Sequence, residues 1–151
     1  MQTYKINTQE EMEQFKDDLG FNVDGNLEVN CTLDFKGRLL VKGYLLIKAG
    51  YSIKAGDSIE AGGWIEAGSS YGISAGLQIT CKGILKYGLK CFAGVCVWRE
   101  ITDEEKTITC GKHEGGRIEY GILCETGLEE SKITECVIKG KTYKVKILEE
   151  C

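Results

Sequence analysis

Proline is absent from this 151-residue chain, and histidine occurs once. The first absence removes collagen-type repeats and polyproline linkers. The second limits acid–base and imidazole–metal chemistry to one residue. Long apolar runs are missing too. The longest, such as Leu45-Leu46-Ile47, fall far short of the ~20 residues a membrane helix needs. The N-terminal Met1-Gln-Thr-Tyr-Lys-Ile-Asn lacks the apolar core of a secretory signal, so the expectation is a cytoplasmic protein with no membrane association. What the chain does have is 20 glycines, 8 cysteines, 42% hydrophobic and 28% charged residues. That balance describes an ordered globular chain, long enough to bury a core without disulfides. In a reducing cytosol the cysteines read as buried thiols, metal ligands or redox groups rather than as bridges.

Charge is uneven. Residues 1–30 carry a net of −5, residues 31–99 a net of +5 and residues 100–151 a net of −4, for a total of −4. A basic middle between acidic flanks, in an acidic chain, argues against direct nucleic-acid binding and suits a charged protein partner.

The N-terminal unit, 1–28, reads as a short strand at Tyr4-Lys-Ile6 followed by a capping helix over 9–19. Thr8 and Glu11 have capping-box spacing, Met12, Phe15 and Leu19 form an apolar stripe, and Gly20 supplies the stop. Over 29–98 the period changes to six. Val29, Phe35, Val41, Ile47, Ile53, Ile59 and Ile65 form one row, which resumes after a two-residue insertion near Tyr71-Gly72 at Ile73, Ile79, Leu85, Cys91 and Val97. Leu27, Leu33, Leu39 and Leu45 form a second row. In the unit Ile-x-Ala-Gly, Ile and Ala point to one side of a strand while the Lys or Glu between them points out, and glycine permits the corner. One such strand cannot bury its own Ile and must stack on copies of itself. The fold class is therefore mainly β: a short β-solenoid of about four coils, in preference to a twisted sheet of antiparallel hairpins. Its handedness is not set by the mixed residues preceding the aliphatics: Tyr51, Asp57, Gly63 and Ser69.

Residues 99–151 read as a small C-terminal β-unit that caps the stack, with a hairpin turn at Lys139-Gly-Lys141. Cys31, Cys81 and Cys91 lie within the repeats and read as packed thiols. Cys110-Gly-Lys-His113 is a C-x-x-H step, and with Cys124 and Cys136 it makes a Cys₃His set, the composition of a structural zinc site. Cys96 or Cys151 could replace a member. A Cys–His nucleophile pair is the catalytic alternative, with His113 as the only possible imidazole base. For partner binding, the outward residues Lys42, Lys48 and Lys54, beside Trp64, are expected to form a basic ladder next to exposed aromatics. Such lysines also serve simply to keep sheets from sticking to one another.

The Ile-x-Ala-Gly repeats followed by Thr-Ile-Thr-Cys-Gly-Lys-His-Glu-Gly-Gly, about residues 23–124, resemble small repeat proteins of bacteriophages and mobile elements, some of which are anti-CRISPR proteins. The resemblance implies a non-enzymatic inhibitor that binds a Cas nuclease in the bacterial cytoplasm, with zinc in at least one such case. It implies a monomer or small oligomer. The alternative is a structural, self-assembling β-helix protein of a phage or mobile element.

Overall fold

The structure, a computed structural model, describes residues 1–68, 72–96 and 99–127, and the backbone of 133–138 and 141–146. Three parallel sheets wrap one core as the sides of a triangular β-solenoid. Side I holds Thr3–Ile6, Asn26–Val29, Leu45–Ile47, Ile65–Ala67, Ile84–Lys86 and Lys112–Glu114. Side II holds Leu33–Phe35, Ile53–Ala55, Ile73–Ala75, Lys90–Ala93 and Arg117–Tyr120. Side III holds Gly20–Val23, Arg38–Val41, Ile59–Ala61, Ile79–Cys81, Thr107–Cys110 and Ile122–Glu125, with the short Lys16–Asp17 antiparallel at its start. The chain visits the sides in the order I, II, III and returns one layer on. Each strand therefore pairs in parallel with its counterpart a full turn away, as the hexad pattern predicts.

Most repeat strands have three residues, of which the first and third are buried and the second faces out. Leu27, Leu45, Ile65 and Leu85 stack in one column on side I, so successive turns take 18, 20 and 20 residues. Leu33, Ile53, Ile73 and Cys91 do the same on side II. All eight are at most 1% exposed.

These registers revise the reading of the rows. The leucine row beginning at Leu27, not the row of Val29 and Phe35, continues into Ile53, Ile59 and Ile65. Val29 pairs with Ile47, and Phe35, Val41 and Ile47 pair with Ala55, Ala61 and Ala67. The cause is a second two-residue insertion, at the corner 48–52, matching the one at 68–72. Ile47-Lys-Ala-Gly only looks like its neighbours. Ile47 occupies the slot that alanine holds in later coils, and Ala49 is exposed in the corner.

One corner, between sides III and I, is built on glycine. The amide of Gly43 donates to Gly25 O, Gly63 to Gly43 O, Gly83 to Gly63 O and Gly111 to Gly83 O, all at 2.9–3.0 Å. A Cβ on Gly43 would collide with the Asn26 side chain of the preceding coil, so the close approach of successive corners needs a residue without one.

At the N-terminus the expected α-helix over 9–19 is a seven-residue 3-10 helix, Gln9–Phe15. Its period of three brings Met12 and Phe15 to one side. Met12 is fully buried and Phe15 packs edge-on against Tyr4. Leu19 falls outside the helix and is 61% exposed. Thr8 makes no side-chain cap, and Glu11 Oε2 accepts instead from the Asn7 amide at 2.8 Å. The Gln9 side chain accepts from the amide of Asp34. The helix thus lies against the first strand of side II, in the place of an earlier strand there.

At the other end the solenoid continues past residue 98. Thr107–Cys110, Lys112–Glu114, Arg117–Tyr120 and Ile122–Glu125 pair in parallel with the coils before them. The charged stretch 100–106 is an excursion between sides II and III of one coil rather than a boundary. The repeat was hard to see here because the inward residues Ile108, His113, Ile118 and Leu123 recur every five positions instead of six. Beyond them Ile133–Ile138 and Lys141–Lys146 form an antiparallel pair. The expected turn at 139–140 and Cys151 lie outside the described residues. Arg99 closes the excursion by forking onto Glu105, with bonds of 2.7 and 3.0 Å.

Three tests follow from this geometry. Ile59→Lys should unfold the protein, because a buried unpaired charge costs several kcal/mol, while Glu60→Lys should be tolerated. Ala55→Leu should destabilise by about 1–3 kcal/mol through overpacking, whereas Ala49→Leu should stay within ~0.5 kcal/mol. Equal denaturation midpoints for the two leucine variants would refute the register. The Arg99 hydrogen bonds and the Thr102 amide hold the Glu105 carboxyl down at about 2 from an ordinary 4.5. A depressed carboxyl contributes above its unfolded value and loses that contribution as pH falls through the folded one. Protection of the amides in 99–106, taken as exchange relative to the intrinsic rate at each pH, should therefore be steady above about pH 4.5 and fall toward pH 2.

Candidate functional site

Lys42, Lys48 and Lys54 do not form a ladder. Six residues advance the chain by one side of the triangle, so spacing by hexads spreads side chains around the axis. Lys42 sits at the corner before Gly43 and pairs with Asp24 at 3.1 Å. Lys48 is exposed at the opposite corner of side I, and Lys54 is exposed on side II. Neighbours along the surface are instead one full turn apart.

Trp64 belongs to such a column. The residues following the corner glycines are Asn26, Tyr44, Trp64, Ile84 and Lys112. The rings of Tyr44 and Trp64 stack with centroids 4.3 Å apart and planes 2° from parallel. Tyr44 is fixed in turn: its amide donates to Asn26 Oδ1 at 3.1 Å, and its hydroxyl donates to Glu28 Oε1 at 3.0 Å. The stack stops at Trp64, because the next residue in the column is the smaller Ile84. There a groove of about 260 Å³ opens on side I, lined by Trp64, Ile65, Glu66, Ile84, Lys86 and Glu114. Glu66, Lys86 and Glu114 are successive outward residues of adjacent strands. Lys112 pairs with Glu114 at 3.1 Å. Tyr44 did not stand out in the sequence as a partner of Trp64, although aligning by turns of 18–20 residues instead of by hexads brings the two together; Glu66, two residues on, shares the outer face with Trp64 by strand alternation. A second groove, about 490 Å³, lies on side II between Lys54, Ser74, Phe92 and Cys96.

Inside the C-terminal half the core turns polar. Tyr87 is 2% exposed, and its hydroxyl lies 2.7 Å from His113 Nε2 in a hydrogen bond. His113 takes the inward position opposite Leu85. Gly115 and Gly116, both at positive φ, carry the chain over Tyr87, where a Cβ on Gly116 would fall on the ring. The thiols of Cys81, Cys91 and Cys110 are buried in the same region. Burial pushes Cys81 and Cys91 up to about 12 and Cys110 to about 11, with their mutual repulsion and Glu125 adding to it. Burial thus favours the neutral thiol at all three.

The Cys₃His zinc set is not assembled among the described residues, where no three His, Cys, Asp or Glu side chains converge. Cys110 points into the core and His113 Nε2 is engaged by Tyr87. Cys124 is disulfide-bonded, whereas the sequence points to a thiolate ligand there and to no bridges. Disulfide sulfur offers no thiolate, so zinc and that bridge exclude each other at Cys124. The side chain of Cys136 lies outside the described residues. Cys31 and Cys96 are free and half-buried.

Thiol reactivity separates packing from ligation. In native protein, alkylation followed by mass mapping should label Cys96 well before Cys81, Cys91 and Cys110, which should react only on unfolding. A chelator should leave that order unchanged, whereas chelator-dependent exposure of Cys110 would restore it as a metal ligand. Comparison of the chain with protein-family models, with curated proteins and with solved structures gave no match.

Proposed function

We propose that this chain is a non-enzymatic protein-binding solenoid that inhibits a bacterial defence nuclease stoichiometrically, in the manner of an anti-CRISPR protein acting on a Cas effector in the cytoplasm. The observation that carries the binding part is the side I groove, where a tryptophan is braced by a stacked tyrosine and flanked by charged side chains. Aromatic anchors within a polar rim are the usual centre of a protein interface. A surface built on stacked strands is also preorganised, so little entropy is lost on docking. The nuclease as target rests on the resemblance of the repeats. A structural zinc on Cys110, His113, Cys124 and Cys136 stays a separate proposal from their composition, read by elemental analysis of protein purified without added metal; direct contact with nucleic acid is not part of this reading.

The self-assembling alternative has one observation in its favour. In the last coil Tyr120, Ile122 and Leu123 are 48%, 43% and 37% exposed, although Leu123 stands in the inward register opposite Ile108. Apolar surface at the end of a strand stack is a natural contact for a further layer.

Titration against a panel of purified Cas nucleases in a DNA-cleavage assay tests the proposal. Inhibition should saturate near one inhibitor per nuclease, without turnover, and should survive His113→Ala. Charged contacts should make it weaken with added salt. A panel showing neither binding nor inhibition, together with concentration-dependent growth in light scattering, would replace the inhibitor by the assembling β-helix.

A further inference from the structure

The geometry points to the side I groove as a receptor for one arginine side chain of a protein partner, its guanidinium lying on the open face of Trp64 with Glu66 as counter-charge. This rests on the protein-binding reading above and names the chemistry that would be recognised.

Tyr44 occupies one face of the indole, and it does not line the groove. The lining residues other than Trp64 and its strand neighbours come from the next two coils, so the groove borders the other face. A planar group entering there would lie against Trp64 beside Ile84. At about 260 Å³ the space is below the ~300–1,000 Å³ of ordinary small-molecule sites, the scale of a side chain rather than of a nucleotide. The face of an indole attracts cations. Beside it, Glu66 is half-buried and has no ion pair or hydrogen bond among the described residues, while Glu114 adds a second carboxylate already shared with Lys112. Lys86, in register with both Glu66 and Glu114, repels either cation alike, so the preference for arginine over lysine rests on shape and hydration. A guanidinium is planar, weakly hydrated and able to stack while forking to a carboxylate, whereas an ammonium is a compact, strongly hydrated point charge.

The test uses the full-length protein and three blocked tripeptides, acetyl-Gly-X-Gly-amide with X as arginine, lysine or citrulline, at constant ionic strength. The Trp64 indole N–H resonance, assigned with Trp64→Tyr, is followed by NMR. The arginine peptide should move it saturably in the millimolar range, the lysine peptide more weakly, and the neutral, equally planar citrulline peptide least. Glu66→Gln should weaken arginine binding about two- to fivefold, the worth of one exposed charge contact. Trp64→Leu, followed on neighbouring amides, should weaken it roughly tenfold, with Trp64→Tyr retaining most of it. Citrulline binding as well as arginine, or no saturable shift, would overturn the site. If a purified nuclease binds the protein and Glu66→Gln and Trp64→Leu leave that affinity unchanged, the arginine receptor is refuted while the inhibitor reading stands. If the arginine peptide behaves as expected but no nuclease binds, the receptor stands and the inhibitor reading falls.

Discussion

A strand of three residues cannot fold by itself, and everything else in this protein follows from that. Two inward side chains, such as Ile59 and Ala61, are too little apolar surface to offset the ordering of their own backbone. They become stable only when layers above and below exclude water from them and pair their amides and carbonyls. Hence the columns and the parallel ladders, which keep their register from layer to layer except for a one-residue shift at Cys91/Phe92 against Arg117–Tyr120. Corner chemistry obeys the same spacing: the Gly25, Gly43, Gly63, Gly83 and Gly111 line is joined amide to carbonyl from turn to turn, and at Gly25 and Gly43 the neighbouring chain leaves no room for a Cβ.

The same constraint organises the surface. Residues that meet on the outside are those one turn apart, so function is written in columns of 18–20 residues rather than in hexads. Tyr44 and Trp64 are 20 positions apart and stack at 4.3 Å, whereas Lys42, Lys48 and Lys54, at regular hexad spacing, point away from different parts of the tube. The rigid frame gives the Trp64 groove its character. Two of its walls are strands whose inward Ile65 and Leu85 are fully buried, and its one aromatic anchor is held by a chain of contacts from Asn26 through Tyr44.

Where the repeat drifts, the interior changes chemistry. In the C-terminal coils the inward positions include His113, Cys91 and Cys110 instead of Ile and Ala. Tyr87 fills the space between them and satisfies the imidazole. A cysteine and histidine set that looked like metal ligands by spacing is thereby divided among a core thiol, a hydrogen-bonded imidazole and a disulfide. C-x-x-H spacing brings two residues near each other along a chain. It does not decide whether their side chains share a side of the wall, and here Cys110 ends a strand of side III while His113 lies on side I.

The solenoid, the inward direction of the aliphatic residues and the mixed outward charges were all legible in the sequence by itself, because a period of six with alternating burial allows few other packings. Tertiary structure decided the rest. It set which hexads share a column, since the two-residue insertions leave each hexad intact yet shift its neighbours one turn away. It extended the tube to Glu125, where a five-residue period hides the repeat. It made the N-terminal segment a 3-10 helix, because the place it fills beside Leu33–Phe35 rewards Met12 and Phe15 on one side and leaves Leu19 outside. And it stacked Tyr44 on Trp64 and set Lys86 and Glu114 in register with Glu66, neighbours from other turns that hydrophobic periodicity, which reports only what points inward, does not contain.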